Sequence, residues 1–312
     1  DLQHEEKKPK RSMNEKTLAV MPQHSQRRHH RRLGSASATR PCRLGSASDV
    51  ADGANSSIVP VPREGEAWEA LHLEFVKSAK QYRANSSRLL LLGDSITERL
   101  RGSKHMGKVR SGAVTQLPSV LRRKLSHWGT PLVFGMGGDE TQHVLWRMMH
   151  GEVSAQMAAD NGLFVSLLIG TNNLGNQLQS PSETARGVEA VSEWILTNMR
   201  AQLLVQAVLP RGPIHPEGYS MGSTSRARCS LDSAIDELNE RIRESVDALA
   251  ARHGPRVMHW RCGDHFFVAG ALSQTFLPDR LHPEQQGYEV LLDCVASGLA
   301  QLRAASHLRL VP

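Results

Sequence analysis

Four short clusters hold the residue types from which a site for acyl chemistry can be built. Gly93-Asp94-Ser95 puts a hydroxyl at a turn after an apolar run. A helix starting there would let the Ser95 N–H and the helix dipole stabilise a developing oxyanion. Gly135-Met136-Gly137-Gly138-Asp139 offers backbone N–H groups that a substrate can approach closely, although the same residues also make a plain turn before a helix. Gly170-Thr171-Asn172-Asn173 presents a neutral amide donor, at a position where Asn is equally ordinary turn chemistry. Asp279-Arg280-Leu281-His282-Pro283 sets a carboxylate three residues before an imidazole. A serine nucleophile needs a base to take its proton, and the base needs a carboxylate to fix its tautomer. With 15 histidines in the chain, a His near an Asp carries little weight alone. One that follows the other three clusters in this order carries more.

The elements that must position these clusters are legible as alternating periods. The run at 88–92 is strand-sized and stops at Gly93-Asp94-Ser95. Runs at 163–169 and 203–209 stop at the Gly-Thr-Asn-Asn block and at Pro210-Arg211-Gly212. A further strand is expected at 257–260. Helical spacing relates Trp68, Leu71, Phe75, Val76 and Ala79, then Ala185, Val188, Val191, Ile195 and Met199. It also relates Leu231, Ile235, Leu238, Ile242 and Leu249, and finally Tyr288, Leu291, Leu292, Val295, Leu299 and Leu302. Strands alternating with helices predict an α/β domain around a parallel sheet, with sites at the carboxyl ends of the strands.

Composition bounds the rest. Residues 1–62 carry 11 Lys/Arg against 6 acids, so +5 of the whole-chain +7 sits there and only +2 on residues 63–312. A basic body that tracks nucleic acid is therefore not supported. Residues 1–62 read as a disordered basic tail, with Arg-Leu-Gly-Ser-Ala-Ser written twice (32–37 and 43–48) and no acid from Lys16 to Ser48. That is also the composition of an organelle transit peptide, and Ser35 and Ser46 stand in Arg-x-x-Ser settings open to phosphorylation. Residues 63–312 read as one domain. Cys42, Cys229, Cys262 and Cys294 lie far apart without metal-ligand spacing, which predicts free thiols in a reducing, cytoplasmic setting. No apolar run approaches the ~18 residues of a membrane span. The basic stretch Arg99, Arg101, Lys104, Lys108 and Arg110 reads as a solvated face, with attraction of an anionic substrate as the minority reading.

The four clusters in this order resemble the SGNH (GDSL-like) hydrolase family, whose signature is Ser, Gly, Asn and His in successive blocks. The resemblance covers roughly Arg88 to Leu302. It implies a three-layer α/β/α, flavodoxin-like fold with a central parallel sheet and no metal or organic cofactor. It further implies Ser95 as nucleophile, His282 as general base, Asp279 as its orienting acid, and an oxyanion hole from Ser95 N–H, Gly138 N–H and the Asn172 amide. Asp94 and Asp139 are expected to brace their loops, and Trp146 and Arg147 to serve packing and ion pairing. The stretch from Gly137 to Arg147, with Gly151-Glu152, Gly170-Thr171-Asn172-Asn173 and Leu209-Pro210-Arg211-Gly212, is similar to the α subunits of intracellular type I platelet-activating-factor acetylhydrolases. That similarity implies a short acyl pocket crowded by Ile96, Thr171 and Leu281, hence acetyl or other short-chain esters. It also implies a possible homodimer and a WD-repeat regulator. The alternatives are an esterase, lysophospholipase or thioesterase of other acyl specificity, or a non-catalytic subunit on the same fold. The longer basic segment after Ser95 and the loop at 214–230 are departures from those relatives.

Overall fold

The computed structural model describes residues 40–44, 56–84, 86–110, 112–214 and 229–307. Most of the expected tail, including the transit-peptide composition and both Arg-x-x-Ser sites, lies outside the described residues. Its described parts touch the domain: Ser57 is buried, its hydroxyl donating to Glu183 O and its carbonyl accepting from Thr141 Oγ1.

Helix α1 (Glu66–Lys80) buries Trp68, Leu71, Phe75 and Ala79, the stripe its spacing predicts. Then follow β1 (Leu89–Gly93), α2 (Ser95–Glu98), α3 (Leu117–Lys124) and β2 (Leu132–Gly135). Next come α4 (Thr141–Arg147), α5 (Ala155–Ala159), β3 (Phe164–Leu168) and α6 (Thr171–Gly175). The longer helices α7 (Pro181–Asn198) and α8 (Asp232–His253) flank β4 (Gln202–Gln206). β5 (Val257–Trp260), a two-residue hairpin β6 (Phe267–Val268) and β7 (Ala271–Leu272), and α9 (Gln285–His307) complete the order. The five longer strands pair in parallel in the order β2-β1-β3-β4-β5, the flavodoxin-like winding expected.

The sheet separates two apolar layers because side chains alternate across it. On β1, Leu90 and Leu92 join the layer of α1, α4, α7 and α8, while Leu89 and Leu91 join that of α3 and α9. β3 repeats this, with Val165 and Leu167 on one side and Phe164 and Leu168 on the other. Both faces of the central strands are thus covered, which is why they read as continuous apolar runs. Helix α7 starts where its sequence says it should: Ser180 and Glu183 form a reciprocal cap and Pro181 stands at the first position. β4 ends three residues earlier than its apolar run predicts. Beyond it the Asn239 side chain of α8 takes over the pairing, accepting from Val208 N at 2.7 Å and donating to Val208 O at 3.0 Å.

Two expectations are overturned. The cysteines are not free: Cys42 pairs with Cys229 and Cys262 with Cys294. Sequence separations of 187 and 32 residues carry no local pattern; only the fold brings these residues together. Cys42 joins the segment 40–44 to Ser230, whose carbonyl accepts the Cys42 N–H. Cys262 ties the end of β5 to α9. The basic stretch is also not uniformly solvated. Arg99 and Arg101 are largely buried, one beside Asp279 and the other paired with Glu74 and lying over the Phe75 ring. Among the described residues, no helix is long and apolar enough to cross a membrane.

Candidate active site

The carboxyl ends of β1, β2 and β3 carry the first three clusters, and the loop before α9 brings the fourth to them. Ser95 is the first residue of α2. Asp94 caps that helix by accepting from Ile96 N at 2.9 Å, the bracing role expected of it. Burial pushes the Asp94 carboxyl up to about 7, with Asp139 adding repulsion and Arg211 and the Ile96 N–H opposing it.

Ser95 Oγ lies 2.8 Å from His282 Nε2, and His282 Nδ1 lies 2.7 Å from Asp279 Oδ2. Asp279 Oδ1 accepts the backbone N–H of His282 at 2.7 Å and of Leu281 at 3.0 Å. The loop therefore wraps its own carboxylate and points the imidazole at the serine. Burial lowers the His282 pKa below the ordinary histidine value; the Asp279 bond opposes that, while Arg99 and Arg211 reinforce it. For Asp279, burial raises the carboxyl, but the bonds from His282 outweigh it and hold the group below the usual carboxylate range.

Beside Ser95 runs the glycine-rich turn after β2. A Cβ on Gly137 would lie 3.8 Å from Ser95 Cβ. Arg63 lies against Gly138 and donates to Gly137 O at 2.7 Å. Asn172 Nδ2 donates to Asp139 O at 2.8 Å, so the Asn block is bonded to the residue after Gly138, and the same nitrogen keeps a second hydrogen. Asp139 braces the turn more deeply than expected. Its Oδ1 accepts from Trp68 Nε1 and its Oδ2 from Arg147 Nε, both at 2.8 Å. Arg147 also pairs with Glu152, which is bonded to His72, and all three charged groups are fully buried.

The three expected pocket residues part company. Ile96 is buried in the layer of Leu100 and Leu291, and its carbonyl accepts from Tyr288 Oη at 2.7 Å. Thr171 is buried, with its carbonyl and Oγ1 both accepting from Arg211 Nη1 at 3.1 Å. Leu281 is half-buried on the loop. Several residues without an expected role belong to the site. Arg99 lies 3.5 Å from Asp279. Arg211, whose pKa burial lowers to about 10 against the opposing charges of Asp94 and Asp279, is bonded to the Thr171 block. Next to it Gly212 N donates to Arg280 O at 2.7 Å, and a Cβ on Gly212 would meet Arg280 Cβ at 2.6 Å, so only glycine fits. Glu98 is wholly buried and bonded to Gly137 N. The one available signal was that Glu98 is the sole acid between Ser95 and Arg110. Among the described residues, no three His, Cys, Asp or Glu side chains cluster as a metal site.

The chain is similar to several known proteins. The α1 subunit of platelet-activating factor acetylhydrolase IB from Pongo abelii is 29% identical over 242 residues, covering 76% of this chain and 84% of that protein. The human α1 subunit is 28% identical over the same span and coverage. Among solved structures, a proposed acylhydrolase of Bacteroides fragilis covers 77% of this chain and 100% of its own, with a TM-score of 0.54 at 16% identity. A GDSL-like lipase of Bacteroides thetaiotaomicron covers 74% and 97%, with a TM-score of 0.52 at 16% identity. At these identities the two structures speak for the fold alone. The profile of the GDSL-like lipase/acylhydrolase family matches residues 91–290, from the first strand through the histidine loop into the last helix, and the chain belongs to that family.

Proposed function

We propose that this chain is a serine esterase working through an acyl-serine intermediate. One observation carries the reading: Ser95 Oγ, His282 and Asp279 form an unbroken hydrogen-bonded relay at 2.8 and 2.7 Å. In the tautomer with Nδ1–H donating to Asp279, Nε2 is free to take the Ser95 proton as Oγ attacks an ester carbonyl. The tetrahedral oxygen is received by the N–H groups of Ser95 and Gly138 and by the second Asn172 amide hydrogen. His282 returns the proton to the departing alcohol, and water then repeats the attack on the acyl-serine.

The substrate proposed is an acetyl or other short-chain ester. The family resemblance supports it, as does the half-buried Leu281 beside His282. A chain-length series of p-nitrophenyl esters from acetate to palmitate, run on wild type and Ser95→Ala, tests both parts. Fast turnover of short esters is expected, with the variant retaining only a residual ~10³–10⁴-fold over water and an unchanged Tm. Turnover confined to long esters would remove the short pocket, and an active Ser95→Ala would remove the nucleophile.

The cysteine pairing bears on where this chemistry takes place. Disulfides persist in oxidising compartments, so cytoplasmic residence loses the free thiols it rested on. We place the working protein in an oxidising compartment. Mass spectrometry of protein from its native source, alkylated without reduction, is expected to show none of the four thiols modified.

A further inference from the structure

Glu98 is a buried carboxylate that the relay does not use, and it joins two loops. Its Oε2 accepts Gly137 N at 2.7 Å and Met106 N at 3.1 Å; its Oε1 accepts Gly107 N at 2.8 Å and Ser103 Oγ at 3.4 Å. The side chain has no solvent exposure, so these four donors replace its hydration. The turn that supplies two of them is unusual. His105, Met106 and Gly107 are consecutive residues with positive φ (55°, 57° and 81°), closed by paired bonds between Lys104 and Val109. Successive N–H groups in such a conformation form a concave anion-binding nest. Here the anion is Glu98. Two non-glycine residues adopt a left-handed backbone only when their surroundings hold them there. The carboxylate does so, and its Oε2, which accepts the Met106 N–H, also fixes the Met136–Gly137 peptide of the glycine turn. A Cβ on Gly137 would stand 3.0 Å from Oε2, so glycine at 137 lets the carboxylate reach that N–H.

We propose that Glu98 is a positioning residue: its carboxylate, seated in the 105–107 nest, locks the Gly137 amide and thereby aims the Gly138 N–H at the oxyanion position next to Ser95. The inference rests on the assignment of Gly138 as an oxyanion donor. Glu98 sits three residues after Ser95 on the same short helix, so the hydroxyl and the turn receiving the oxyanion are set by one rigid unit. The basic segment after Ser95 then acts as a counterweight to the glycine turn.

The test uses the full chain and two readouts, steady-state kinetics with p-nitrophenyl acetate and amide hydrogen exchange. In Glu98→Gln the new NH₂ must face one of the two donor pairs. A fall in kcat of about ten- to a hundredfold is expected, with KM within about twofold, because only the transition state loses its donor. Exchange is expected to quicken in peptides covering 103–109 and 134–140 but not in α8. An unchanged kcat, or unchanged exchange at 134–140, overturns the proposal. A second measurement needs no variant. When Ser95 Oγ of the wild type attacks diethyl p-nitrophenyl phosphate, His282 takes the hydroxyl proton, p-nitrophenolate leaves, and the diethylphosphoryl group left on Ser95 places its phosphoryl oxygen at the oxyanion position. It is expected to slow exchange at 134–140 and, through Glu98, at 103–109; a response confined to 134–140 overturns the coupling. If the phosphate ester fails to label Ser95, it is the esterase reading that fails, and the exchange comparison in Glu98→Gln still decides the role of Glu98.

Discussion

The two sides of the candidate site are held in opposite ways. On the glycine side, Asp139, Arg147 and Glu152 are fully buried, and Trp68, His72 and two backbone carbonyls complete their bonding. On the histidine side, the Asp279 side chain is 49% exposed, and its Oδ1 bonds come from its own loop. What fixes that side lies behind it: the Cys262–Cys294 bridge, and Trp260 Nε1 donating to Cys294 O at 2.9 Å on the helix that follows the loop. In the proposed mechanism, the donors that must stay still while charge develops on a substrate are tied to the core, where moving them means unfolding. A base that must gain and lose a proton is left within reach of water, and its neighbours tune it.

The largest effect is therefore expected from the buried charges. Arg147→Met removes the cation that bridges Asp139 and Glu152 and leaves these buried carboxylates with only Arg63, 3.4 Å from Asp139, and His72, bonded to Glu152, beside them. Breaking such a pair typically costs about 3–5 kcal/mol. Chemical denaturation should show a loss of that size; a loss below about 1 kcal/mol would mean the network is incidental to stability. On the other side, the double variant Cys262→Ala/Cys294→Ala should lose about 2–4 kcal/mol, as expected for opening a loop of this length. Its residual ester turnover, once refolded, should drop further than that of Arg147→Met, because the helix behind His282 is loosened.

Much of this contrast was readable before the structure, and the unreadable part has a common cause. β5 and the stripes of α1, α7 and α9 were legible because burial imposes a local period on them. The four polar clusters were legible because a parallel sheet delivers its strand ends to one edge. β2 was missed: Leu132-Val133-Phe134 is only three apolar residues, and as an edge strand it is part-exposed at 132 and 133. The disulfides, the Asp139–Arg147–Glu152 charges and the Glu98 clamp were illegible for a different reason. Each joins residues whose separation in sequence says nothing of their distance in space. Arg147 could be assigned to an ion pair, but not to one buried under the glycine turn.

Two smaller changes sharpen the comparison by moving the histidine side without unfolding it. Gly212→Ala forces a Cβ into Arg280, two residues before His282. Displacing the base by a fraction of an ångström to an ångström should lower kcat by about 10–10², with stability changed far less than in Arg147→Met. Equal activity in this variant would show that the loop accommodates the shift and that Gly212 does not set it.

Arg99→Gln is expected to act on pH dependence alone. The base must be neutral to take the Ser95 proton, so kcat/KM falls as pH drops through the His282 pKa, which burial holds below the ordinary value near 6.5. Arg99 adds to that lowering by disfavouring a second positive charge. Without it the imidazole protonates more readily, and the acid limb of the profile should move to higher pH. The alkaline plateau should stay within a few-fold, since a partly exposed pair such as Arg99 with Asp279 is worth at most about 1 kcal/mol. A limb that moves to lower pH would mean that Arg99 acts chiefly by holding Asp279 against the imidazole, and that the histidine side, like the glycine side, depends on a fixed charge rather than a tuned one.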